Sequence, residues 1–161
     1  MSKKIVITGG IGYIGTELCK IYSGISWSNK IIVIDNRFIS ERVNQLRNWG
    51  IDFVHGDVLD KELIKEILSD CDIVHHLAGI TEVPKTSKES NEEINQKINQ
   101  VALEGTKNII SFIPDSCKII FPSTHVVFEG IQASKKEIIE EEATSPILTY
   151  ATGKVSNEKH I

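Results

Sequence analysis

The chain has 161 residues, of which 40% are hydrophobic and 25% charged. That length fits one ordinary domain, and the composition excludes wholesale disorder. The formal charge of -4 excludes the basic footprint of a nucleic-acid binder, and no apolar run approaches the ~20 residues of a membrane span.

The first apolar run is Ile5-Val6-Ile7. It follows two lysines but breaks at Thr8-Gly9-Gly10, too soon for a secretory signal. Ile14, Leu18 and Ile21 then fit one helix face. Ile31 to Ile34 forms the second run and Phe53-Val54 a weak third. A helix follows a capping-type Asp60, with Leu63, Ile64, Ile67 and Leu68 as its apolar members. Ile73-Val74 is the fourth run. Asn91 to Phe112 reads as one long helix carrying Ile94, Ile98, Val101, Leu103, Ile109 and Phe112. Ile119-Ile120-Phe121 is the fifth run. These runs are β-branched and nearly continuous, which suits strands buried on both faces of a parallel sheet. Their alternation with helical segments predicts an α/β fold, a Rossmann-type doubly wound parallel sheet of about five strands. Two connections are long, from about Ala78 to Ser90 and from about Ser123 to Leu148. Long loops in a compact domain are often functional. The acidic run Glu137 to Glu142 in the second reads as a solvated loop or short helix.

Cys19, Cys71 and Cys117 show no CxxC and no ligand spacing. An odd, scattered count suits a reducing cytoplasm and not a disulfide framework. The three are expected to be small core or surface residues. His75 and His76 are paired, but no carboxylate or cysteine sits at ligand spacing, so they read as strand-end residues and no metal is expected.

Thr8-Gly9-Gly10-Ile11-Gly12-Tyr13-Ile14-Gly15 follows the first strand and opens the first helix. Glycines at this spacing permit a tight turn, close approach of backbone to a pyrophosphate, and close helix–strand packing. The phosphate charge then meets free N–H groups at a helix N-terminus. Asp35 ends the second strand about 20 residues after Gly15, where a carboxylate takes the ribose hydroxyls of an adenosine. A 2′-phosphate there would meet a negative charge, which favours NAD over NADP; Arg37 nearby argues the other way. Asp57 follows the third strand at the same sheet edge. It has two readings, a contact to the adenine amino group or an N-cap for the next helix.

Thr8 to Gly15, Asp35-Asn36, Gly56-Asp57-Val58, His76-Leu77-Ala78-Gly79 and Tyr150-Ala151-Thr152-Gly153-Lys154 occur in this order. Together they resemble the extended short-chain dehydrogenase/reductase family, of the NAD-dependent nucleotide-sugar epimerase/dehydratase type. The resemblance covers essentially the whole chain. It implies a cofactor site formed by Gly9, Gly12, Tyr13, Ile14, Gly15, Asp35, Asn36, Asp57, Val58, Leu77, Ala78 and Gly79, with Tyr150 and Lys154 on its nicotinamide side.

Tyr150 and Lys154 stand at i and i+4 and so share a helix face. A tyrosine, with a reference pKa of about 10, is a poor base at neutral pH. An ammonium beside it, together with the positive nicotinamide ring, favours the phenolate and lowers that pKa. Tyr150 is then a general base for a sugar hydroxyl, or the acid in reverse, while Lys154 holds the nicotinamide ribose. In the same family, Pro122-Ser123-Thr124-His125-Val126-Val127-Phe128 resembles a Ser-Ser/Thr-x-x-Val-Tyr segment. That match places Thr124 on the catalytic hydroxyl, with Ser123 as its neighbour and substitute. Pro146 and Glu158 also fit the family's surroundings.

Some positions depart from the pattern. Sugar 4,6-dehydratases of this family carry an Asp-Glu pair where this chain has His125 and Val126, which weighs against elimination of water. The family's Tyr-Gly is Phe128-Glu129. Its helical Asn matches Ala102, with Asn99 one turn earlier as a substitute. The leading expectation is an enzyme acting on a nucleotide-activated sugar by transient hydride transfer. The alternatives are a non-catalytic NAD(P)-binding regulator or remnant, and a reductase of a smaller carbonyl substrate. The family's proteins run to roughly twice this length, so residues 1–161 read as the N-terminal, cofactor-binding part of a longer enzyme, a homodimer in its full-length form.

Overall fold

The computed structural model describes residues 2–25, 29–80, 86, 88–131 and 137–161. In chain order its elements are β1 (Lys4–Thr8), α1 (Tyr13–Gly24), β2 (Lys30–Asp35), α2 (Ser40–Asn48), β3 (Asp52–His55), α3 (Lys61–Leu68), β4 (Ile73–His76) and α4 (Glu92–Asn99). A π-helical stretch (Gln100–Gly105), α5 (Thr106–Phe112), β5 (Lys118–Ile120), a 3₁₀ turn (His125–Phe128) and α6 (Thr149–Glu158) follow. They fall into two compact units. The first is Met1–Gly79 with Glu104–Pro122, and the second is Ile80–Leu103 with Ser123–Ile161.

The first unit holds the whole sheet. Its order is β3-β2-β1-β4-β5 and every pairing is parallel. The chain runs outward from β1 to β3, then returns to place β4 on the other side of β1. The carboxyl ends of β1 and β4 therefore flank the point where strand order reverses, with Thr8 opposite His76. Side chains alternate across β1. Ile5 and Ile7 join Val33, Cys19 of α1 and Leu46 of α2 in one core cluster, completed by Ile11 and Ile51. Thr8 points to the opposite face and reaches α5 through His76. There α3 packs on α5, burying Ile64, Leu68 and Ile109.

The expected helix face in α1 is rotated by one position. Ile14 and Ile21 are each 61% exposed, while Gly15 and Cys19 are buried. The cause is Gly15, whose missing side chain lets that face of the helix lie on the turn before it. α2 has no strong sequence signal. Only Val43 and Leu46 of its nine residues are buried, too few to mark a period. The long helix expected from Asn91 to Phe112 is interrupted by the π-helical stretch.

In the second unit α4 packs on α6. Gly153 allows close approach, since a Cβ there would stand 3.4 Å from the Ala102 side chain. The buried Asn157 amide donates to the Ala102 carbonyl at 3.0 Å, so a carbonyl of the π-helical stretch is satisfied from α6. The connection into α6 is tied by Glu129, whose carboxylate accepts from the amides of Ile147 at 2.7 Å and Leu148 at 2.6 Å. Glu129 stands where the family pattern has glycine. The acidic run is solvated, as expected from Glu137 through Glu141. Parts of both long connections, 81–85 with 87 and 132–136, lie outside the described residues.

Candidate functional site

The first unit contributes a glycine turn. Gly9 has φ +70, and a Cβ on it would lie 2.8 Å from the Ala78 nitrogen. A side chain there is thus opposed both by backbone strain and by the β4 loop. The Gly9 amide donates to the Ile34 carbonyl at 2.7 Å, fixing the turn on β2. Gly12 is the N-cap of α1 and its own amide donates back to Gly9. Beyond it the first-turn amides of Tyr13, Ile14 and Gly15 have no acceptor within the helix. The Tyr13 and Ile14 side chains point to solvent, so these positions offer backbone and not side chain.

Asp35 is 5% exposed at the end of β2. One carboxylate oxygen accepts from the Ile11 amide at 3.3 Å. The other accepts from the Arg37 amide at 3.0 Å and from Arg37 Nε at 3.2 Å. The carboxylate thus braces the glycine turn while Arg37 lies against it. Arg42 of α2 donates to the Ile11 carbonyl from the other side. Asn36 donates to Asp57 at 3.0 Å. Asp57 also accepts from the Leu59 amide at 2.9 Å, and it is Asp60 that caps α3. The N-cap reading of Asp57 is therefore replaced by a link between the ends of β2 and β3. Val58 is buried beneath it.

The β4 end is held by a buried chain of polar groups. The Leu77 amide donates to the Thr8 carbonyl and the Ala78 amide to the Thr8 hydroxyl at 3.2 Å. Thr8 Oγ1 lies 2.8 Å from His76 Nδ1, and His76 Nε2 lies 3.0 Å from the Thr106 hydroxyl. Thr8, His76 and Thr106 thereby fix where the Leu77-Ala78-Gly79 backbone runs. Sequence reasoning gave none of Thr8, Thr106, Ile11 or Arg42 a role here, because their partners are distant in the chain.

This arrangement suits a dinucleotide. It offers amides at a helix N-terminus for phosphate, a buried-edge carboxylate for vicinal hydroxyls, and glycines where a Cβ would collide with backbone.

The second unit carries Tyr150 and Lys154 on α6, with Lys154 Nζ 5.8 Å from the Tyr150 ring centroid. Burial pushes the Tyr150 phenol above its usual value. Desolvation of the charged phenolate is the cause. Burial lowers the Lys154 pKa, against which the Glu158 carboxylate acts in the other direction. Thr124 has extended backbone and caps the 3₁₀ turn, accepting from the Val126 amide at 3.4 Å. Ser123 donates to Glu158, so its hydroxyl is already committed. Tyr150 also borders a shallow cleft with Ser90, Asn95, Ile98, Leu148 and Thr149. Among the described residues no group of His, Cys, Asp and Glu is placed to hold a metal ion, and no helix is long and apolar enough to cross a membrane.

Comparison with known proteins bears on this geometry. Residues 6–161 match the 3-beta hydroxysteroid dehydrogenase/isomerase family. UDP-glucose 4-epimerase of Mycoplasma genitalium is 30% identical over 152 residues, covering 89% of this chain and 43% of that protein. UDP-N-acetyl-alpha-D-glucosaminuronate decarboxylase of Bacillus cytotoxicus is 29% identical over 130 residues, covering 80% of this chain and 38% of that protein. The UDP-Glc/GlcNAc 4-epimerase of Campylobacter jejuni superposes with a TM-score of 0.83 at 25% identity, covering 99% of this chain and 48% of that one. A UDP-glucuronic acid 4-epimerase of Bacillus cereus, solved in complex with NAD, gives a TM-score of 0.81 at 25% identity, covering 97% and 50%. The chain spans less than half the length of the curated relatives it matches. Glycine turn, strand order and these matches agree, and the chain belongs to the 3-beta hydroxysteroid dehydrogenase/isomerase family of extended short-chain dehydrogenases/reductases, with nucleotide-sugar epimerases and dehydratases among its relatives.

Proposed function

We propose that the chain binds NAD and serves an oxidoreductase of the epimerase type acting on a nucleotide-activated sugar. The observation that carries this reading is Tyr150 and Lys154 one helical turn apart on α6, in a chain that also holds the glycine turn and Asp35. The share of the relatives' length that the chain spans supports reading residues 1–161 as the NAD-binding part of a larger enzyme.

Bound NAD supplies the hydride acceptor. The amides of Tyr13, Ile14 and Gly15 meet the pyrophosphate charge. Asp35 accepts from the adenosine ribose hydroxyls. The Asp35 carboxylate sets a negative charge where a 2′-phosphate would have to sit, which favours NAD. Asn36, Asp57 and Val58 form the adenine side, and the Leu77 to Gly79 backbone closes the floor. Thr124, whose oxygen accepts in the cap, donates its O–H to the substrate oxygen. Tyr150 takes the proton from the sugar hydroxyl and returns it in reverse. Lys154 stabilises the phenolate while the proton is held there. His125 and Val126 supply no carboxylate pair for dehydration, which favours epimerisation or net oxidation.

Asp35→Asn is expected to weaken NAD binding roughly 10–100-fold, the worth of a hydrogen bond to a charged group, and to narrow the gap between NAD and NADP. Titration calorimetry with both cofactors measures it. The reaction itself is tested by adding NAD and a panel of UDP-, GDP- and dTDP-sugars, then following reduced-nicotinamide absorbance and product epimers. Turnover of one sugar class supports the reading. Tight NAD binding with no turnover of any sugar, by the intact protein, overturns the enzymatic part and leaves a cofactor-binding regulator.

A further inference from the structure

Cys71 and Cys117 are 46 residues apart in sequence, yet their sulfurs lie 3.2 Å from each other as free thiols. Cys71 lies two residues before β4 and Cys117 directly before β5, and these strands pair in parallel. The two thiols thus sit at the amino end of the sheet, the end opposite the glycine turn. A disulfide needs a sulfur–sulfur bond of about 2.05 Å, so closure asks for a movement of about 1.2 Å between two strand leads. The Lys118 amide already holds these leads together by donating to the Asp72 carbonyl at 2.9 Å. We propose that Cys71 and Cys117 form a reversible disulfide staple across the amino ends of β4 and β5, made by exchange with a low-molecular-weight disulfide.

The two sulfurs have different access. Cys71 is 3% exposed and burial pushes its thiol up to about 12, so it is a poor first nucleophile. Cys117 is half-buried and is the entry point. Its thiolate attacks one sulfur of the oxidant, the oxidant's S–S bond breaks, and the first small thiolate leaves and takes up the proton lost by Cys117. Cys71 then attacks the Cys117 sulfur of the mixed disulfide. It expels the second small thiol, to which its own proton passes. Two cysteine thiols are oxidised and one small disulfide is reduced to two thiols. Cys19 is fully buried, its thiol likewise held up to about 12, and it takes no part.

The test uses oxidised glutathione as the probe on the purified chain, with thiol counting and peptide mapping by mass spectrometry. The expected result is loss of two of three thiols, a Cys71 peptide joined to a Cys117 peptide within one molecule, and reversal by dithiothreitol. In Cys71→Ser the exchange should stop at a glutathione adduct on Cys117. In Cys117→Ser, Cys71 should stay unmodified. NAD affinity should be the same in both redox forms, because the staple lies at the far end of the strands. A wild-type protein that ends as a stable adduct on Cys117, or that bridges through Cys19 or between molecules, overturns the proposal.

Discussion

Gly15→Ala lowers stability by roughly 1–3 kcal/mol, the range for overpacking a close contact, and it weakens NAD binding at least about tenfold. The sign is not obvious from the helix alone, since alanine in a helix interior is favoured over glycine by about 1 kcal/mol. Here the new Cβ would lie 2.6 Å from the Gly10 Cα and 2.7 Å from the Gly9 carbonyl oxygen. Both are backbone, so relief means moving the turn that presents the amides of α1. The clash therefore outweighs the propensity gain, and it distorts the phosphate-binding geometry as well. Gly24→Ala is the control. That residue ends α1 and its Cβ would meet nothing within 4 Å, so stability should stay the same or rise by a few tenths of a kcal/mol. Urea midpoints and NAD titrations on both variants decide the matter. Equal behaviour of Gly15→Ala and the wild type would show that the turn is not under the constraint described.

Tyr150→Phe lowers turnover by 10²- to 10⁴-fold, the usual worth of a positioned acid–base group, and leaves NAD affinity and the unfolding midpoint within error. The phenyl ring keeps the packing on α6 and removes only the oxygen that carries the proton. The pH dependence follows from the raised phenol. In the proton-abstracting direction the active form is the phenolate, so below the phenol pKa the rate climbs with pH, about tenfold per unit. Lys154→Met removes the cation that favours phenolate and should move that rising limb to higher pH. A pH profile that is flat, or unaltered by Lys154→Met, would remove Tyr150 from the role of base.

Much of what the candidate residues share was legible because their spacing is local in the chain. The glycine turn spans eight consecutive residues that close one strand and open one helix. Asp35 is tied to the end of the next strand, and Tyr150 and Lys154 need only a helix to become neighbours. Other features were not legible. Asp57 and Asp60 are both plausible caps on spacing, and only the observed bond from the Leu63 amide to Asp60 separates them. Ile14 and Ile21 fit an apolar stripe, but the turn rotates α1 so that Gly15 and Cys19 face inward. Nothing in Gln100 to Gly105 announces a π-helical stretch, which is stabilised from outside by Asn157. The rise of the Tyr150 phenol was not legible either. Its neighbour is readable from spacing, whereas its burial is not.

The sequence alone therefore determined the strand–helix alternation, the parallel sheet, the dinucleotide-type turn and the tyrosine–lysine pair. Each is written in spacings of a few residues, where backbone geometry leaves little choice. Tertiary structure decided the rest. It set the strand order that brings Thr8 beside His76 and the burial that tunes Tyr150 and Lys154. It also turned three scattered cysteines into one isolated thiol and one pair in contact. Proximity between distant residues and removal of water are properties of the packed sheet, and no local spacing encodes them.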